Sequence, residues 1–278
     1  MSDCLVVAEI GVNAGGDIDK AIALIDVAVG AGCDFVKFQK RTPELATPKD
    51  QWNIPKETPW GTVEPYIEYR RKSEFGQREF DTIDDYCRGN IEWFASAWDV
   101  PSVDFLTNYT CLAAIKVPSA KLTDHVLISH IAETGVDAIV STGMSTPEEV
   151  EAALPYIRQC YNPMLMACHA QYPTADETEI NLRQIEAMRD QYNLPVGFSS
   201  HSPSPMPAIY SYFYGARMVE CHITLNRSWA WGDNPASLEA EGIALVCREI
   251  KRIENIRGDG VKRLYPSELG ARKKLRGY

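Results

Sequence analysis

Two short apolar runs in this sequence end in histidine: VGFSSH, closing at His201, and MVECH, closing at His222. Imidazole is the commonest protein ligand for divalent metals, and its charge changes near neutral pH. Two such rings delivered to one place would form a metal seat. A loop carrying Trp229, Trp231, Asp233 and Asn234 follows at once. Residues 196–200 and 218–224 both read as buried strands. In a barrel of parallel strands, the last inward residues at the carboxyl ends share one mouth. The chemistry therefore requires a barrel, and the rest of the chain must provide it.

A β-like run followed by a helix-like run recurs along the sequence. Strands are expected at 5–10, 35–39, 93–97, 113–117, 138–141, 164–168, 196–200 and 218–224. Helical segments alternate with them, the longest at 238–256. Asp17 is a good N-cap for the first helix and Gly32 a good stop. Thr123 or Asp124 caps another, and Thr146-Pro147-Glu148-Glu149 starts one with proline in its first position. Eight alternations imply an all-parallel sheet, since each crossover needs a helix. No G-x-G-x-x-G follows the first strand, as a dinucleotide fold would want.

The expected fold class is α/β: a (β/α)8 TIM barrel, a single domain over residues 1–256. Residues 41–75 interrupt the rhythm with Pro43, Pro48, Pro55 and Pro59 and an aromatic, basic decoration, and read as a lid or a dimer contact. Residues 257–278 turn basic and read as a tail or the stump of a linker.

The 278 residues suit one barrel of roughly 250 residues with an insertion, or two small domains. A net charge of −10 offers no basic face for nucleic acid or an anionic membrane. The eight cysteines form no C-x-x-C pair and read as reduced core thiols. Glu9 interrupts the first apolar run, which leaves no signal peptide, and no run approaches the roughly 20 residues of a spanning helix. A soluble, cytoplasmic protein is expected.

Strand alternation sends every second side chain inward. Glu9 closes the first strand, and Lys37 and Gln39 share a face of the second. Ser96, Lys116 and Ser141 end the third, fourth and fifth. Ser199 and His201 share a face of the seventh, and Glu220 and His222 of the eighth. Polar groups at the carboxyl ends of apolar strands mark the working face of a barrel enzyme. His125 and His130 read as helix-surface residues, and His169 has no matching placement. Cys168 and Cys221 read as core thiols. Ser141-Thr142-Gly143 is equally a strand-to-helix turn, and Trp229 and Trp231 either an interface patch or a site wall.

Seven ordered motifs carry a resemblance. AEIGVNAGGD (from Ala8), VKFQK (from Val36), KVPS (from Lys116), STGMST (from Ser141), YPT with INL (from Tyr172), GFSSH (from Gly197) and ECHITLNR with GDNPASLE (from Glu220) resemble the N-acetylneuraminate (sialic acid) synthase family. The resemblance spans the first strand to the last helix. It implies a barrel enzyme that condenses phosphoenolpyruvate with a mannosamine-type aldose, using a divalent metal, manganese or magnesium.

By that resemblance His201 and His222 ligate the metal, and Glu9 acts beside them on the reacting centre. Lys37, Ser96, Lys116, Ser119, Asn181 and Ser199 hold phosphoenolpyruvate; Gln39, Tyr172 and Asp233 face the sugar. Two lysines and hydroxyl donors suit a substrate with up to three negative charges. The metal polarises the aldehyde, the phosphoenolpyruvate methylene attacks, water adds, and phosphate leaves by C–O cleavage. Both imidazoles must be neutral to bind metal, so activity is expected to fall below about pH 6 to 6.5.

The sequence also departs from the family pattern. Members usually continue into a small antifreeze-like C-terminal domain, and this chain is expected to lack it. The Gly-Glu after the Lys-x-x-Ser motif is Ala120-Lys121 here, the Asp of Ser-Asp-His is Ser200, and Gly-Pro-Asp-His is Trp231-Gly232-Asp233-Asn234. The acceptor is thus expected to differ from ordinary N-acetylmannosamine, with Lys121 receiving an anionic group or standing as a solvated helix-entry residue. A homodimer is the implied assembly. Two other readings stand beside this one: a Schiff-base aldolase using Lys37 or Lys116, and a barrel that binds sugar without turnover.

Overall fold

A computed structural model describes residues 4–277. Eight parallel strands close into a barrel: β1 (Leu5–Glu9), β2 (Phe35–Lys40), β3 (Glu92–Ala97), β4 (Leu112–Val117), β5 (Asp137–Ser141), β6 (Tyr161–Cys168), β7 (Val196–Ser200) and β8 (Met218–His222). Each strand pairs with the next, and β8 pairs back onto β1. The crossover helices are α1 (Ile18–Ala31), α2 (Gln77–Cys87), α3 (Val100–Leu106), α4 (His125–Thr134), α5 (Pro147–Ile157), α6 (Gln184–Tyr192), α7 (Met206–Ser211) and α8 (Ala240–Ile256). The single (β/α)8 barrel expected from the alternation is the fold observed.

Local chemistry sets the helix ends. The Asp17 carboxylate accepts from the amides of Asp19 and Lys20, and Gly32 closes α1 in the left-handed region. Asp124, not Thr123, caps α4. Thr146 and Glu149 form a reciprocal capping box at the start of α5, with proline first in the helix. Several observed helices start or stop one or two residues from their expected ends, as frayed ends do.

The barrel interior is layered. Val7, Phe94, Ala114, Ile139, Met166 and Met218 make an apolar floor. Two residues further along those strands stand Glu9, Ser96, Lys116, Ser141, Cys168 and Glu220, joined by Lys37 and Ser199. A period of two along each strand carries the chain from floor to polar layer. Gly197 keeps the floor level: a Cβ there would lie 2.4 Å from Met166 Sδ and 2.7 Å from the Met218 carbonyl. The other strand faces pack outward on the helices, with Val6, Val36, Ile115, Val140, Leu165, Phe198 and Cys221 in one continuous core.

The 41–75 insertion is folded. Short helical turns at Pro43–Ala46 and Lys49–Gln51 lead to an antiparallel hairpin, Pro55–Glu57 with Val63–Pro65, and then a helix, Tyr66–Ser73. Buried Ile67 and Tyr69 anchor it. Gly15 and Gly16, after β1, approach Pro59 and the Lys72 carbonyl, which sets the insertion beside the carboxyl rim. The basic segment after α8 is irregular and exposed to residue 265. It then forms a helix, Leu269–Arg276, from good helix formers too few to show a period in sequence. Among the described residues no helix is long and apolar enough to cross a membrane, and no disulfide forms.

Candidate active site

Four buried charges meet above the apolar floor. Lys37 Nζ lies 2.6 Å from Glu9 Oε2 and 3.4 Å from Glu220 Oε1, and donates to Ser96 Oγ at 3.0 Å. Lys116 Nζ reaches both Glu220 oxygens, at 2.8 and 2.7 Å. Gln39 Nε2 donates to Glu9 Oε1 at 2.7 Å, and Ser199 Oγ to Glu220 Oε1 at 3.4 Å. Each member of the quartet is at most 4% exposed. Strand register makes the meeting possible, since Glu9 stands beside Lys37 on one side and His222 on the other.

Burial alone would raise the Glu220 carboxyl, but Lys116 and Lys37 outweigh it and hold it at about 2. Burial likewise opposes charge on Lys37, where Glu220 and Glu9 prevail and keep the amine above its ordinary range. At Lys116 burial is the largest influence, and with Lys37 nearby it draws that amine below the usual value.

His201 and His222 rise from the next inward positions of β7 and β8, with ring centres 5.3 Å apart. Tyr172 packs tilted against His201, ring centres 3.9 Å apart, and meets His222 edge-on at 5.5 Å. His201 Nδ1 lies 2.5 Å from the His169 carbonyl. A carbonyl only accepts, so Nδ1 carries the proton and Nε2 keeps its lone pair. His222 Nδ1 is buried without a hydrogen-bond partner, and the nearest carboxylate, Asp233, stands 3.4 Å away. Two imidazoles sharing one ion through bonds of about 2.1 Å would have ring centres roughly 5 Å apart, so the pair fits a divalent metal. Among the described residues no group of three or more His, Cys, Asp or Glu forms a metal site. The pair would therefore leave coordination positions open to water or substrate oxygens.

Burial, then His222, pushes the His201 imidazole down to about 3. The acid limb expected near pH 6 to 6.5 therefore does not originate at His201, which stays neutral where a free imidazole charges. Folding stability follows with a definite sign. Between pH 6.5 and about 3 the unfolded chain takes up a proton at this position and the folded chain does not. Stability contributed by His201 is therefore fully present above 6.5 and declines as pH falls through that window. Urea midpoints measured from pH 7 to 4 should show His201→Asn with a shallower decline than wild type. Parallel curves would contradict this.

The cavity brings together Glu9, Lys37, Gln39, Ser96, Lys116, Ser119, Ser141, Tyr172, Ser199, His201 and His222. Asp233 joins at the rim: its amide donates to Asn13 Oδ1 at 2.9 Å, while Asn13 Nδ2 donates to the Ile223 carbonyl. Asn181 is not brought in; it is exposed, ending the turn Glu177–Ile180. Lys121 stands outside as well, 3.4 Å from Asp124 at the entry to α4. Cys168 is no core thiol: paired with inward-facing Ser199, it lines the cavity 3.3 Å from Ser119 Oγ. Cys221 does face the outer core. His125 and His130 stay on α4, against Tyr156 and Asp104. His169 serves through its carbonyl, and its ring pairs with Glu179 at 3.2 Å. Trp229 and Trp231 stack on each other at 5.4 Å, under Lys20 and outside the cavity.

Sequence reasoning set Glu220 on the right face but gave it no role; its link to both lysines spans three strands, which no local spacing encodes. Trp98, another lining residue, carried no signal.

Gly11 follows β1 with φ +43°, and a Cβ there would lie 2.3 Å from Glu9 Oε1 and 2.7 Å from Gln39 Nε2. Gly11→Ala is expected to cost about 2–4 kcal/mol, combining a left-handed backbone of about 1–2 kcal/mol with overpacking. It should also separate Glu9 from Gln39. Denaturant unfolding checks the first effect, and a loss under 0.5 kcal/mol, within the roughly ±0.5 kcal/mol of a neutral site, would contradict it.

A closed barrel that gathers two lysines, two glutamates and two imidazoles at its carboxyl rim is the frame of a barrel enzyme acting on small polar substrates. The sequence profile of the NeuB family matches residues 24–262, and the chain belongs to that family. It is 31% identical over 277 residues to the N,N'-diacetyllegionaminic acid synthase of Campylobacter jejuni, covering 96% of this chain and 81% of that one. It is 29% identical to the N-acetylneuraminate-9-phosphate synthase of Mus musculus, covering 98% and 76%. The solved N-acetylneuraminic acid synthetase of Leptospira borgpetersenii, in complex with citrate, superposes with a TM-score of 0.84 at 27% identity, covering 99% and 93%. Like these relatives, the chain is an enzyme of the sialic acid synthase type, a transferase that forms a carbon–carbon bond.

Proposed function

We propose that the protein condenses phosphoenolpyruvate with an aldose, N-acetylmannosamine-like or an anionic relative, to give a nonulosonic acid and phosphate, with a divalent metal as cofactor. The observation that carries this reading is the pairing of a two-lysine cradle with two imidazoles whose ring centres lie 5.3 Å apart, one of them, His201, kept neutral by burial. Lys37 and Lys116 hold the phosphate and carboxylate, with Ser96, Ser119 and Ser199 donating hydrogen bonds. A divalent ion bound by His201 and His222 supplies Lewis acidity toward the aldehyde oxygen. The methylene carbon of phosphoenolpyruvate bonds to the aldehyde carbon, leaving an oxocarbenium-like centre at its second carbon. Water adds there and gives a proton to Glu9, which returns it to the alkoxide left on the former aldehyde oxygen; the C–O bond to phosphate then breaks with its electron pair leaving on phosphate, and the hydroxyl proton passes to that phosphate as the ketone forms.

The test is a screen of aldoses with phosphoenolpyruvate, read by phosphate release. Release should need both an aldose and metal, stop with chelator, and return with excess manganese or magnesium. Full turnover in chelator would defeat the reading. The Schiff-base alternative calls for a free amine. Both Glu220 oxygens hold Lys116, and Glu9 and Ser96 hold Lys37, which favours charged holders over a nucleophile.

A further inference from the structure

A wider cleft of about 630 Å³ adjoins the cradle, bounded by the 41–75 insertion and the segments following β3 and β4. Trp98 and Ala120 line both spaces, so the cleft lies directly beside the cradle. Its lining holds four cations, Arg41, Lys56, Arg70 and Lys121, and no carboxylate. In a protein with 38 acidic and 28 basic residues, this is a local field opposed to the overall charge.

The cations differ in their commitments. Arg41 is spent on structure: buried, with Nε 2.6 Å from Glu74 and its guanidinium 4.6 Å above Trp98. Arg70 has no carboxylate partner among the described residues. Its Nε donates to Tyr66 Oη at 2.8 Å, and the guanidinium lies over the rings of Tyr66 and Tyr69 at 4.9 and 5.7 Å. A terminal nitrogen donates to the same Tyr66 hydroxyl and the charge is felt at Glu74, but no ion pair closes on the guanidinium among the described residues, which leaves its other terminal nitrogen for an oxyanion. Lys56 forms no ion pair among the described residues. Lys121 meets Asp124 only at 3.4 Å, a weak surface contact. At the junction, Trp98 Nε1 is a buried donor without an acceptor.

We infer that this cleft receives an anionic group, a phosphate monoester or a carboxylate, on the end of the aldose remote from its aldehyde. The inference rests on the synthase reading for the position of the aldehyde. Arg70, Lys56 and Lys121 answer the charge of about −1.5 to −2 on a phosphate monoester. Lys121, outside the cradle, thereby acquires a place in acceptor binding.

Calorimetric titration of the full chain, without phosphoenolpyruvate, tests it with three probes: N-acetylmannosamine 6-phosphate, N-acetylmannosamine and the corresponding uronate. The sugar phosphate should bind at least about tenfold more tightly than the neutral sugar, with an advantage that shrinks as salt rises. In the double variant Arg70→Ala, Lys56→Ala the ratio should collapse to about twofold or less. Lys121→Ala, away from the insertion's aromatic stack, should reduce the same ratio, and melting curves check that each variant is folded. A uronate advantage that collapses in the same variants supports the cleft with a carboxylate as the bound group. Equal affinity for all three probes, or an anion advantage that survives the variants, overturns the inference. Because binding is read without turnover, the two readings fail separately. An anion advantage with no phosphate release from any aldose would sink only the synthase reading, and turnover without an anion advantage would sink only this one.

Discussion

Glu220→Ala is expected to destabilise the barrel by about 3–5 kcal/mol, the cost of leaving buried charge uncompensated. Glu220 is 2% exposed and touches both buried ammonium groups. Without it, Lys37 retains Glu9, but Lys116 loses both of its short contacts to an acid. Adding Lys116→Met should recover most of the loss, because an apolar replacement of a buried pair is often close to neutral. Urea denaturation of the two single variants and the double variant at pH 7 measures this coupling. A single-variant loss below about 1 kcal/mol, as for an exposed pair, would show that the quartet is not buried as described. The pH dependence gives a second check. The folded carboxyl sits at about 2, against an ordinary 4.5. Its stabilisation is fully present above 4.5 and is lost as pH falls through about 2. Glu220→Ala should therefore flatten the stability curve between those limits.

Alanine at His201 or His222 should lower phosphate release by more than about a hundredfold, since even the outer partners of metal ligands are worth 10–100-fold. Metal affinity, measured by calorimetry, should fall with it. The two variants are expected to differ in stability. His201 satisfies the His169 carbonyl and packs against Tyr172, so its removal should cost about 1–3 kcal/mol for the unpaired carbonyl alone. His222 Nδ1 has no hydrogen-bond partner to lose, so His222→Ala should unfold nearer the wild-type midpoint. Wild-type phosphate release from either variant would remove the metal seat from the reading.

Periodicity made most of the barrel legible. Apolar runs with polar carboxyl ends announced the strands, and caps such as Asp17 and Thr146 announced the helices. The insertion was less readable, because its strands are three residues long and its prolines look like punctuation. Cys168 was misjudged because its inward direction depends on a register with Ser199 that only pairing fixes.

Parity along single strands is what the sequence determined by itself: Glu9, Lys37, Lys116, His201 and His222 had to face one way, because alternate residues of a strand share a side. Closure of the cylinder decided the rest. It set Glu220 against two lysines from other strands, left Asn181 and Lys121 outside the cradle, and put Arg70 of the insertion on the wall of a neighbouring cleft. Contacts between residues a hundred positions apart follow from how strands meet around a ring, and no run of neighbouring letters contains that information.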